Sequence, residues 1–158
     1  MSIPNRKQIR DLFEGLLGRD VDVSDGAPPP LDVVPRPLVA SYIDDVHNLS
    51  SVVVMDFELA AYSAAALALV PRGGAEAAID DGVLPPSLFE NASEILNIVA
   101  GIINDSGEVH QRLQEVYGPS DPIPGSVASW AATLGSREDV TVDIQGYGEG
   151  VIGVVSTL

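Results

Sequence analysis

Cysteine is absent from this 158-residue chain, which excludes disulfides, thiolate metal sites and cysteine nucleophiles at once. Positive charge is scarce: 8 Lys and Arg stand against 23 Asp and Glu, for a formal charge of −15. Phosphate contacts need a basic footprint, and the acids run along the whole chain, so no nucleic-acid binding is expected. Histidine occurs twice; His47, expected in an exposed turn, and His110 are far apart, and neither has a companion at metal-ligand spacing, so no zinc site is expected. Long hydrophobic runs are missing too. The longest, around 59–70, is too short and too alanine-rich to span a bilayer, and the N-terminal MSIPNRKQIRDLF has no uninterrupted apolar core. Neither membrane insertion nor a signal peptide is expected, and the chain reads as soluble and cytoplasmic.

What is present is aliphatic. Hydrophobic residues make up 46% of the chain and aromatics 5%, the composition of an aliphatic α/β or α+β domain. At this length one domain over 1–158 is expected, with a core of its own.

Residues 5–17 predict an amphipathic helix, because Ile9, Leu12, Phe13, Leu16 and Leu17 recur at helical spacing while Arg6, Lys7, Arg10, Asp11 and Glu14 face away. Gly18 closes it. A proline-rich connection follows over 19–37, with a short strand expected at 21–23 or at 31–34. Residues 38–43 and 51–57 are rich in β-branched and aromatic side chains and predict a hairpin; the second, nearly all apolar, suits a strand buried on both faces. The alanine-rich 58–69 predicts a helix, ended by Pro71, Gly73 and Gly74, with a turn-rich link beyond. A short helical segment is expected over 109–117, then an irregular GPSDPIPG connection. Residues 127–134, with Trp130 read as core or interface, fit either strand or helix. Residues 140–145 and 150–156 flank GYGE as a hairpin. The order suits an α+β domain, a largely antiparallel sheet with helices packed on one face.

The remaining stretch, SLFENASEILNIVAGIIN over 87–104, predicts a helix with two unlike faces. Leu88, Ala92, Ile95, Leu96, Val99, Ile102 and Ile103 form a broad apolar side, opposite Glu90, Glu94, Asn97, Gly101 and Asn104. Ser87 and Glu90 stand at capping-box spacing. Asn97 is a mediocre interior helix residue, since its amide competes for backbone hydrogen bonds. Glu94, one turn before it, places a carboxylate beside that amide. Composition alone leaves a solvated polar face and a functional face both open.

Glu94-x-x-Asn97 within SEILNIVAGIIN resembles the signature helix of the CheC/CheX/FliY family of response-regulator phosphatases, in which a Glu and an Asn at this spacing follow an Asp or Ser four residues before the Glu. Pro119 falls near the place of the family's later proline. Glu90 departs from the small Asp or Ser, and Leu96 stands where many members have Gly. One signature helix is visible rather than two, so the single-motif CheX branch is the closer match. The resemblance implies a CheX-like α+β fold and hydrolysis of the aspartyl phosphate on a phosphorylated, CheY-like response regulator. It also implies a homodimer. Carried over, Asn97 orients the attacking water and Glu94 docks on a regulator lysine, with Glu90, Ile98 and Gly101 bordering the partner. No cofactor of this chain is implied, since magnesium belongs to the regulator. The alternative is a catalytically degenerate module of the same fold that binds a response regulator or a flagellar-switch partner.

Overall fold

The structure, a computed structural model, describes residues 3–156. In chain order its elements are α1 (Arg6–Leu17), β1 (Val21–Asp25), β2 (Leu38–Asp44), β3 (Leu49–Met55), α2 (Phe57–Leu67), α3 (Arg72–Asp81), α4 (Pro86–Ser106), β4 (Gln111–Tyr117), α5 (Gly125–Ala131), β5 (Arg137–Ile144) and β6 (Gly148–Ser156). The strands form one sheet in the order β1-β5-β6-β3-β2-β4, and every neighbouring pair is antiparallel.

Side chains alternate across this sheet as the pleat requires. Leu38, Ala40, Tyr42, Val53, Met55, Val140, Val142, Ile144, Ile152 and Val154 face the main core. α1, α2, α3 and α4 cover that side, through Phe13, Leu59, Ala75 and Ile95 among others. Val39, Val52 and Val54 face the other way, under Val127 and Ala131 of α5 and Leu31 of the proline-rich connection. β3 is therefore buried on both sides, as its nearly all-apolar sequence implies. On the second face Arg137 and Asp139 form a nearly buried bidentate pair, 6% and 7% exposed, with N···O distances of 2.7 and 2.9 Å. Arg137 also binds the Ala131 and Thr133 carbonyls at the end of α5.

Local signals explain most boundaries. Asn5 and Gln8 form a reciprocal capping box at α1, and Gly18 ends it in the left-handed region at φ 67°. Asp56 caps α2: its carboxylate accepts from Leu59 N–H and from Val151 N–H of β6, both at 2.8 Å. Gly150 permits this approach, since a Cβ there would run into the Asp56 carboxylate and the Leu59 backbone. Burial pushes the Asp56 carboxyl up to about 6, against the lowering effect of its two backbone donors.

Two expectations give way, and an alternative left open is decided. Within 109–117, expected as helix, residues 111–117 are strand β4: between Ser41↔Glu115 and Tyr42↔Leu113 the register shifts and Gln114 is bulged out. The bulge changes the inward spacing, so Leu113 and Val116 both pack on the core, an i, i+3 pattern that imitates a helix. The link over 72–81 is helix α3; despite Gly73 and Gly74 it is held by Ala75 and Ala78 packed on the core. Of the two strand positions offered in the proline-rich connection, only the first is occupied, as β1, while 31–34 is irregular.

Candidate functional site

α4 runs for 21 residues, roughly 30 Å at 1.5 Å per residue. Its inner side is Leu88, Ala92, Ile95, Leu96, Val99 and Ile103, all buried. Each large aliphatic chain contributes about 1.5–3 kcal/mol on burial, so the helix is held from inside and its outer residues carry little of the stability. Those outer residues are Glu90, Glu94, Asn97, Ile98 and Gly101, all exposed. At about 100° per residue they fall within one stripe.

The start of α4 differs from the capping box expected of Ser87 and Glu90. The N-cap position is Pro85, the helix opens at Pro86, and no side chain caps it. Proline suits this position because its missing N–H is one the first turn leaves unbonded. Ser87 lies inside the first turn, and Glu90 joins Glu94 on the stripe one turn away.

The hydrogen bonds from polar side chains of α4 come from positions beside the stripe. Asn104, placed on the polar face by the sequence pattern, is a strut: its amide donates to Gln111 C=O at 2.9 Å and accepts from Gln111 N–H at 2.8 Å, tying the end of α4 to the start of β4. Asn91 reaches Ala64 C=O of α2 at 3.4 Å, and Ser106 donates to Ile102 C=O. Tyr42, which sequence reasoning did not single out, rises from β2 and donates its buried hydroxyl to Leu96 C=O at 2.6 Å. That bond holds the peptide unit leading into Asn97; burial pushes the phenol above its ordinary range.

Leu96 points fully inward, at 0% exposure, so its departure from Gly leaves the outer surface unobstructed. Ile98 is 37% exposed beside Asn97 and supplies an apolar border. Gly101 faces open space, with nothing within 4 Å of where a Cβ would stand; it does not serve to admit a neighbouring element of the domain. At the other end, Gly118 packs against Phe89 of α4 and donates its N–H to Asp121 at 2.8 Å. The loop carrying Pro119 thus borders the first turns of α4. β4 lies beside α4 and ends the sheet, so stripe and sheet edge adjoin.

The two histidines share one corner without a metal-like cluster. His110 Nδ1 lies 3.5 Å from Asp45, and His47 Nε2 lies 3.3 Å from Arg112. Asp44 is occupied in its turn, accepting from Val46 and Asn48 N–H. Among the described residues no group of three or more His, Asp or Glu is placed to hold a metal ion, and no helix is long and apolar enough to cross a membrane.

No protein-family model matches the chain, and no curated protein sequence matches it. Solved structures do. The FliM middle domain from H. pylori superposes with a TM-score of 0.61 at 8% identity, over 96% of this chain and 84% of that one. A chain of the H. pylori FliG–FliM complex gives 0.59 at 10% identity, over 96% of this chain and 85% of that one. Thermotoga maritima FliY gives 0.51 at 16% identity, over 94% and 82%. At such identities the likeness is one of fold: the chain has the α+β fold shared by the FliM middle domain and FliY, the CheC/CheX/FliY type.

Proposed function

We propose that this chain is a CheX-like phosphatase that removes the phosphoryl group from the aspartyl phosphate of a response regulator. The observation that carries this reading is that Glu94 and Asn97 share the exposed stripe of a helix rigidly packed on its other side. An aspartyl phosphate is a mixed anhydride. Attack by water on phosphorus breaks the bond to the acyl oxygen, leaving aspartate and inorganic phosphate, with the water's protons passing to the products. Such a step needs water held in line more than it needs a strong base. The Asn97 amide can both donate to and accept from that water. In this reading Glu94 pairs with a regulator lysine and sets the register, Ile98 supplies apolar contact, and Gly101 leaves room for partner backbone. Magnesium would sit in the regulator, and the working form is a cytoplasmic homodimer.

The second reading is a binding module without catalysis. It is supported by the fold shared with FliM, whose H. pylori form is solved in complex with FliG, and by Glu90, which adds an exposed carboxylate where the motif has a smaller residue. Following aspartyl-phosphate decay on candidate regulators separates the two. Acceleration by the wild-type chain that disappears in Asn97→Ala supports the phosphatase. Binding to a regulator or switch protein with its decay rate unchanged supports the module.

A further inference from the structure

Asn97 is exposed, and among the described residues no side-chain hydrogen bond of its own fixes it. Its aim is therefore set by the backbone of α4. The Leu96 carbonyl and the nitrogen and Cα of Asn97 lie in one peptide plane, so whatever holds the Leu96 oxygen holds the root of the Asn97 side chain. Tyr42 holds that oxygen. Its hydroxyl, on a side chain with 0% exposure, donates to Leu96 C=O at 2.6 Å.

The helix does not need this bond. Inside α4 the Leu96 carbonyl already accepts from the N–H four residues on, and the Tyr42 hydroxyl takes its second lone pair. Nor does the core need it, since a phenylalanine would fill the same space with no polar group to satisfy. What the hydroxyl adds is a tie from sheet to helix at one peptide. Ser63 gives the contrast: its buried hydroxyl donates to Leu59 C=O at the same 2.6 Å, one turn back within α2, and joins no two elements.

The sheet departs from regular pairing around the same residue. β2 pairs with β3 on one side and with β4 on the other, and both ladders slip at Tyr42. Against β3 the register shifts between Tyr42 and Ile43, and against β4 between Ser41 and Tyr42. The β1–β5, β3–β6 and β5–β6 pairings run in unbroken register. A bulge bends its strand and re-aims the side chain beside it. Both irregularities thus flank the strand residue that bonds to the peptide before Asn97.

We infer that Tyr42 is a positioning residue for Asn97: its hydroxyl fixes the Leu96–Asn97 peptide and, through it, the place at which the Asn97 amide holds water. Tyr42 is buried and touches neither water nor regulator; it acts through the helix. This deepens the phosphatase reading and rests on it. A misplacement of about 1 Å can cost roughly a hundredfold in rate. Without the hydroxyl α4 keeps its apolar packing, so a smaller shift and a loss of about tenfold are expected. Docking through Glu94, Ile98 and Gly101 should change little.

The test follows aspartyl-phosphate decay against chain concentration on a panel of phosphorylated regulators, for wild type, Tyr42→Phe and Ser63→Ala, with thermal unfolding confirming that each variant folds. On a regulator that the wild type accelerates, Tyr42→Phe is expected to lower the saturating rate about tenfold and to leave the half-saturating concentration within about twofold, the mark of a group that acts on the reacting geometry rather than on binding. Ser63→Ala, which removes a buried hydroxyl of the same bond length elsewhere, is expected to keep both. A Tyr42→Phe chain as fast as wild type overturns the positioning role and leaves the phosphatase reading standing. So does an equal loss in Ser63→Ala, which assigns the effect to a loosened core, or a change confined to the half-saturating concentration, which assigns Tyr42 to docking. A wild type that accelerates no regulator overturns the phosphatase reading and this inference with it.

Discussion

α2 and α4 lie side by side on the same face of the sheet, yet they meet solvent in opposite ways. α2 is enclosed by α1, α3, α4 and the strands β5 and β6, and Ala60, Ala61, Ala64 and Ala65 are at 0% exposure. A helix with neighbours on every side keeps its side chains small, because packing near crystal density leaves no room for larger ones. α4 is packed on one side only and presents Glu90, Glu94, Asn97 and Gly101 on the other. The lesson is one of division: α2 serves the interior, and the helix with a free side is where recognition can be placed without cost to folding.

That contrast breaks most sharply at Ala64. Ala64→Asp places an unpaired carboxylate in the tightest part of the interior; we expect a loss of about 4 kcal/mol or more, enough to unfold the chain, seen as loss of a cooperative denaturation curve. An aspartate at exposed Asn97 should do nothing comparable.

The two helix starts give the next effect. α4 begins on prolines, whereas α2 begins on the Asp56 carboxylate, which burial pushes up to about 6 from the ordinary aspartate value of 3.8. The folded state therefore holds this proton more tightly. The stability from Asp56 is fully present below the unfolded value and is lost as pH rises through about 6, a change on the order of 2 to 3 kcal/mol. Urea unfolding at pH 4.5 and 7.5 should show this dependence in wild type and lose it in Asp56→Asn; equal pH dependence in the two would assign the effect to other carboxylates.

Gly101→Ala sharpens the comparison on the α4 side. Its Cβ enters open space, so the helix should gain roughly 0.5–1 kcal/mol. If regulator binding weakens at the same time, close approach of a partner accounts for the glycine. Smallest in stability is Asn97→Ala, expected within about 0.5 kcal/mol of wild type as an exposed change. The same substitution should abolish acceleration of aspartyl-phosphate decay, so folding and function separate at one residue.

The sequence by itself determined the elements whose signals are local. α1 with its Asn5 and Gly18 ends, the β2–β3 and β5–β6 hairpins, the alanine helix α2 and the two-faced α4 follow from periodicity, caps and turn residues acting over a few positions. So does the exposure of Glu94 and Asn97, because a 3.6-residue period that buries Ile95, Leu96 and Val99 turns those two outward. Only the tertiary structure decided the rest. Gln114 bulges because β2 beside it dictates the register, and that one extra residue hid a strand behind helical spacing. α3 forms because α2 offers Ala75 and Ala78 a surface, which no propensity scale contains. Tyr42 supports the peptide before Asn97 across a separation of 54 residues, and Asn104 proved to be a strut because β4 returns alongside α4. In each case the deciding contact joins residues distant in sequence, and its free energy exists only once the chain has closed the loop between them.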